Sequence, residues 1–341
     1  MNIKRLLALI LLPLYVASPN AIAHPKTDIV TLYNGDRLTG EIKQLEGGIL
    51  KLSTDSMGTV NIEWQEIASI DSEFFYEFQL SSGVRHFGSV DDSTRPGQLI
   101  VAELGDKKDL EWLKVVRIRP IASNIIDRID AYFSAGYSYT RANSLTQTSV
   151  KANIAYEDEK SRSRLDARSN LTDSDDEASS SSKVDIDRAV WTRREGVFRS
   201  FQGNYEQNDE LDLNYRLGVG AGFGRHFLDT YRNRLVGVAG LQVITEDNKS
   251  EGTDQNLELY LTSRYEAWRF NTPELHLDFS LNLYPSITES GRVRSSSDLS
   301  LRWEIVEDFF YDISAYGTYD NRAEGDSGVD YGVTTGLGYD F

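Results

Sequence analysis

The chain has no cysteine, only four histidines and seven prolines, and beyond residue 23 no apolar run long enough for a membrane-spanning helix. Each absence excludes something. Without thiols there are no disulfides, thiolate metal sites or cysteine nucleophiles, so backbone ladders and burial must hold the fold. The best candidate span, "LVGVAGLQVI" at Leu235–Ile244, is strand-sized and carries two glycines, which rules out a helical membrane protein. Positive charge is also short. Lysine and arginine number 36 against 53 acidic residues, a formal net charge of −17 with no basic face, so no nucleic-acid partner is expected. The only imidazoles are His24, His86, His226 and His276, and none has a nucleophile motif beside it; neither catalysis nor a cofactor is expected.

What is present begins with a short basic region holding Lys4 and Arg5, then "LLALILLPLYVA" and "AIA" before His24, the pattern of a secretory signal peptide over residues 1–23. Residues 24–120 then contain a gapless repeat. Setting Trp112 against Trp64 gives an offset of 112 − 64 = 48, which also matches Gly35 with Gly83, Arg37 with Arg85, Leu52 with Ile100 and Ile70 with Ile118. Each copy, about 28–72 and 76–120, alternates as short strands around turns such as Asn34-Gly35-Asp36. The expectation is a tandem of small SH3-like or Sm-like β-barrels that pack together, with Trp64 and Trp112 in the core, acting as a periplasmic spacer or docking module for a protein partner. A linker is expected at 121–128.

From 129 to 341 alternation of period two continues segment after segment. About twelve strands are predicted: 129–141, 147–157, 161–172, 183–193, 196–207, 211–225, 233–246, 255–270, 274–285, 296–306, 309–321 and 328–341. "ELHLDFSLNLY" places Leu275, Leu277, Phe279, Leu281 and Leu283 on one face and His276, Asp278, Ser280 and Asn282 on the other. Strands of soluble sandwiches average about 5–6 residues, whereas tilted spanning strands need roughly 9–11. The longer value fits. Aromatic residues gather at strand ends, and short connections ("EDEK", "TRREG", "NTP", "VED") alternate with long ones, "HFLDTYRN" excepted. The expected fold is all-β: an antiparallel transmembrane β-barrel of about twelve strands, its last strand pairing back to the first near Tyr132–Tyr139, in a bacterial outer membrane.

The parity of these strands points a set of charges into the lumen: Arg162, Arg164, Asp166, Arg168, Asp185, Asp187, Glu258, Arg264, Glu266, His276, Asp278, Asp298, Arg302 and Glu304. Charges of both signs in a closed barrel either pair and fill the interior or line a selective pore. The glycines of "GVGAGFG", Gly218 to Gly224, keep strand period rather than nucleotide-loop spacing and leave space in that lumen. "DSDDEASSSS" lacks the glycine and glutamate of a calcium loop. Two functions remain open: a structural or adaptive envelope protein, and a small-solute or ion channel.

"AYFSAGYSYTRANS" at Ala131–Ser144, "NYRLGVGAGFGRHF" at Asn214–Phe227 and the terminal "GLGYDF" resemble the salt-induced outer membrane protein family, catalogued as domain of unknown function 481. The resemblance covers about 210 residues. It implies an acidic barrel behind a signal peptide and, in some members, a small β-rich module; it brings no assigned chemistry. Leu337, Tyr339 and Phe341 resemble the C-terminal signal read by barrel-assembly machinery, which would be a partner together with outer-membrane lipid and lipopolysaccharide.

Overall fold

The computed structural model describes residues 26–91, 95–121, 128–140, 145–174, 178–209, 213–248, 252–271, 273–306, 308–322 and 328–339. The expected signal peptide, most of the expected linker, and Phe341 of the assembly signal lie outside the described residues.

The first copy of the repeat folds as β1 (Asp28–Leu32), β2 (Arg37–Glu46), β3 (Ile49–Ser53), β4 (Thr59–Glu63) and β5 (Ile67–Asp71). The second folds as β6 (Phe75–Leu80), β7 (Arg85–Val90), β8 (Gln98–Glu103), β9 (Asp106–Glu111) and β10 (Val115–Pro120). In both, one 3-10 turn separates the fourth strand from the fifth, at Trp64–Glu66 and Trp112–Lys114. Pairing repeats as well, in the orders β5-β1-β2-β3-β4 and β10-β6-β7-β8-β9, and a bridge from Ile118 to Leu45 joins the copies into one ten-stranded sheet.

The two tryptophans explain the joining. Their rings stack at 4.2 Å and 6° between planes, and each indole N–H donates to the other's backbone oxygen, Trp64 Nε1 to Trp112 O at 2.9 Å and Trp112 Nε1 to Trp64 O at 3.1 Å. The repeat thus closes on itself as a local two-fold. Neither ring touches water appreciably (0% and 3% exposed), and Leu50, Leu52, Leu99 and Val101 complete the shared core. Tyr76 stands one repeat length after Asp28, and its hydroxyl donates to the buried Asp28 Oδ2 at 3.0 Å.

The second sheet contains β11 (Ile129–Thr140), β12 (Leu145–Glu157), β13 (Ser161–Asp173), β14 (Ala178–Trp191), β15 (Val197–Asn208) and β16 (Leu213–Asp229). It continues with β17 (Asn233–Asn248), β18 (Gly252–Arg269), β19 (Leu275–Pro285), β20 (Val293–Val306), β21 (Phe309–Asp320) and β22 (Val329–Tyr339). The twelve pair antiparallel in chain order. All are long, from 11 residues in β19 and β22 to 18 in β18. Two boundaries differ from the prediction by about four residues or more, the others by three or fewer. β16 runs on to Asp229, so "HFLDTYRN" contracts to the short turn Thr230–Arg232 and stops being an exception; β14 starts at Ala178 and takes in half of the polar loop.

One expectation is overturned: the sheet is not closed. Among the described residues β22 pairs only with β21 and β11 only with β12, so no ladder joins the last strand to the region of Tyr132–Tyr139. Both end strands are exposed on both faces. The physical reason is that every other ladder is zipped by a local connection, whereas closure must join strands about 200 residues apart with no turn to guide it.

Register sorts the side chains cleanly. Rows linked across the strands, such as Phe223, Ala239, Leu261 and Leu283, form an outward apolar face, with Phe223 64% and Val243 52% exposed. The alternate rows face inward and are polar, with Gln242 and Glu258 only 3% and 1% exposed. This inverts the usual arrangement of a sandwich. Trp112→Ala is expected to destabilise the N-terminal sheet by about 3–5 kcal/mol, measured by urea unfolding; a loss well under that range would take the tryptophan pair out of the core.

Candidate functional site

The inward face is built first by what is missing from it. Gly218, Gly220, Gly222 and Gly224 of β16 present no side chains, and larger ones from neighbouring strands lie over them: Asn204 on Gly218, Gln202 and Gln242 on Gly220, Tyr260 on Gly222, Phe198 on Gly224. The glycine row is therefore packed. From it a chain of bonds crosses the interior: Gln202 Nε2 donates to Gln242 Oε1 at 2.6 Å, and Gln242 Nε2 to Glu258 Oε2 at 2.8 Å. Arg294 of β20 reaches over β19 and binds both Glu258 oxygens, Nε at 3.1 Å and a terminal nitrogen at 2.7 Å. A buried carboxylate is tolerated only with this kind of bidentate partner.

Nearer the long connections lies a second charged layer. Arg292 pairs with Asp320 at 3.0 Å and Glu246 at 3.5 Å, and Arg216 pairs with Glu246 at 2.9 Å and Glu206 at 3.1 Å.

The third layer closes the end with the short turns, and the N-terminal sheet supplies half of it. Glu46, at the end of β2, sits among four guanidiniums: Arg117 at 2.9 Å and Arg119 at 3.6 Å from β10, Arg234 at 3.3 Å from β17 and Arg162 at 3.8 Å from β13. Glu157 answers from β12, taking Arg119 at 2.9 Å and Arg117 at 3.4 Å. Burial alone would raise the Glu46 carboxyl, but these guanidiniums, Arg117 foremost, hold it well below the ordinary carboxylate value. Nearby, Glu77 is pushed up by burial despite Arg85 at 3.1 Å.

Backbone fit accompanies the charges. Gly48, at φ +75°, lies so close to the Tyr231 carbonyl that a Cβ there would stand 2.5 Å from its oxygen, and a Cβ on Gly83 would stand 2.6 Å from the Gly196 nitrogen. Only glycine allows this seating. Arg85 covers the Trp191 ring at 4.5 Å, and Gln65 donates to Asn271 at 2.5 Å. Behind this dock a chamber of about 750 Å³ runs from Arg162 and Arg164 past Asp187 and His226 to Arg264 and His276, with Glu46, Gly47 and Arg117 at its floor.

The residues singled out in the sequence fall into distinct places. Arg162, Arg164, Asp187, Arg264, Glu266, His276 and Asp278 line the chamber together, and Arg264 binds Glu266 at 2.9 Å and Asp278 at 2.8 Å. Asp166 accepts from Asn153, Arg168 faces Lys183, and Asp185 is opposite Asn204. Glu258 is in the cross-bridge. Asp298 lines an adjoining inner pocket on β18–β22 that shares Arg264, His276 and Asp278 with the chamber, and Arg302 stacks on Phe310 at 4.2 Å. Glu304 does not join the chamber: it accepts from the backbone of Glu274 at 2.7 Å and Asp308 at 3.1 Å, capping two short turns. Leu337 and Tyr339 are on the outward face of β22, 67% and 53% exposed. Sequence reasoning missed Glu46, Arg117, Arg119, Glu157 and Arg234. One signal was present: at the offset of 48, Ser69 and Asp71 become Arg117 and Arg119, a change of charge inside an otherwise matching repeat.

Fold and site define an all-β protein with a long antiparallel sheet, apolar outside and charged inside, whose short-turn end is capped by a duplicated β-unit. The family of proteins of unknown function DUF481 matches residues 133–341, and the chain belongs to that family. Comparison with curated proteins finds no match.

Because Glu46 is depressed below its ordinary value of 4.5, its contribution to docking is fully present above that pH and is lost as pH falls below it towards the folded value. Glu77, shifted upward, acts in the opposite sense. Glu46→Gln is expected to weaken the dock by about 3–5 kcal/mol, measured as faster amide exchange in β2 and β3 after correction for intrinsic rates. The wild type should approach the variant on acidification; identical exchange at neutral pH would remove Glu46 from the dock.

Proposed function

We propose that the chain is an integral β-barrel protein of the bacterial outer membrane, with its duplicated N-terminal unit in the periplasm and a structural or adaptive role in the envelope rather than a catalytic one. The observation that carries this reading is the outward face of the long sheet. Its rows hold large apolar side chains at strand after strand, and their carboxylates, Asp173 and Asp247, stand only at the strand ends away from the dock. A surface of this kind belongs against hydrocarbon. Partners follow from the address: membrane lipid and lipopolysaccharide, the barrel-assembly machinery at the C-terminal strand, and a periplasmic protein on the N-terminal unit. Each five-strand copy is read as a small SH3-like or Sm-like barrel, supported by its strand order and its single 3-10 turn.

Lipid cannot satisfy the free edges of β11 and β22, so in a membrane the two must pair. Since the chain has no cysteine, paired cysteines report this directly. Ser134→Cys combined in turn with Thr334→Cys, Gly336→Cys or Gly338→Cys should give an intramolecular disulfide in one register after refolding into bilayers. No cross-link in any register, or a mature protein that is soluble and monodisperse without detergent, overturns the barrel.

A second reading, a small-solute or ion channel, is favoured by the chamber of about 750 Å³ with charges of both signs. Planar-bilayer recording separates the two. A structural barrel stays silent as wild type and as Glu46→Gln; a channel closed by the dock opens discretely in Glu46→Gln and changes ion preference when Arg164→Glu or Glu258→Lys is added.

A further inference from the structure

On the outward face, next to the dock, lies a groove of about 420 Å³ walled by Val197, Phe223, Phe227, Leu261 and Leu283. Phe227 lies over Gly237, which offers no side chain and so deepens the floor. Two cations complete the lining: Arg194, from the turn between β14 and β15, and Arg225 of β16, whose guanidinium stands 5.7 Å from the Phe227 ring centre. Both are exposed, and among the described residues no carboxylate lies within ion-pair distance of either, Glu195 of the same turn included.

Charge on this face is distributed in one sense only. The cations of the outward rows are Arg188, Arg199, Arg225 and Arg269, all in the half of their strands nearest the dock. In a chain of net charge −17, most of whose arginines inside the sheet are paired with acids, unneutralised guanidiniums beside an apolar groove require an amphiphile with an anionic head. A neutral acyl chain would use the wall and leave the arginines idle; a free phosphate would use the arginines and leave the wall bare.

We propose that this groove binds an anionic phospholipid of the leaflet nearest the dock, its phosphate between Arg194 and Arg225 and an acyl chain against Phe223, Leu261 and Leu283. The proposal rests on the membrane reading and deepens it by naming a lipid class and a place for it.

The test is native mass spectrometry of the full protein in a neutral maltoside detergent, supplied with equal amounts of phosphatidylglycerol and phosphatidylcholine of one chain length, and separately with glycerol phosphate. Wild type should retain phosphatidylglycerol in preference, Arg194→Gln and Arg225→Gln should each lower that retention about fivefold, and Arg193→Gln, in the same turn but outside the groove, should leave it unchanged. Equal retention of both lipids, an equal loss in Arg193→Gln, or binding of glycerol phosphate as strong as that of the lipid overturns the site while the membrane reading stands. Retention of neither lipid, by a protein that stays monodisperse once detergent is removed, overturns the membrane reading itself.

Discussion

Every strand of the long sheet alternates, so one choice of face sends nearly all of its charges to the same side. That side has to neutralise them within itself. Adjacent strands do part of this, as where Arg264 takes Asp278, but the most buried group, Glu258, is satisfied by Arg294 from two strands away. Pairing between non-adjacent strands requires the sheet to curl, and the curl creates the chamber. Buried ion pairs are a weak source of net stability, because desolvation consumes most of the attraction. Their effect here is geometric: they fix which strands face one another across the interior.

The N-terminal sheet meets the same constraint at the short-turn end. There the inward arginines of β13 and β17 pair within their own sheet, Arg162 with Glu157 and Arg234 with Asp229 and Glu266, and Glu46 adds a carboxylate from outside that both share, bringing Arg117 and Arg119 with it. The duplicated unit has diverged where it docks. Gly35 and Gly83 are repeat mates, yet a side chain on Gly35 would meet open space, while one on Gly83 would strike Gly196. Trp64 and Trp112, by contrast, remain equivalent: the rings stack face to face, so each needs the other's aromatic surface, and each indole N–H is satisfied by the other's backbone oxygen.

Much of this could be seen in the sequence. Alternation located all twelve long strands, the offset of 48 found both copies of the repeat, and parity assigned Arg164, Glu258 and Asp278 to one face. Local rules suffice for such features, since a strand's period and a turn's chemistry depend on neighbouring residues. Parity could not say which charges pair. It placed Glu304 in the inward rows, where the register keeps it opposite Phe310, but gave no sign that its carboxylate accepts from the turn backbones of Glu274 and Asp308 rather than from an arginine of the chamber. The expected closing strand failed for a related reason: equal alternation in β11 and β22 makes them compatible edges without making them partners.

By itself, then, the sequence determined the β-class, the strands, the repeat and the sorting of apolar from charged faces, because periodicity and composition act over a few residues. Only the tertiary structure decided that Glu46, Arg117, Glu157 and Arg234 form one cluster, that Tyr260 and Gln242 fill the glycine row, and that the sheet has open edges. Those groups are separated by up to 188 positions, the span from Glu46 to Arg234, and no local pattern encodes a meeting at that distance. It is decided by how far a long twisted sheet must curl before its buried charges find their counterparts.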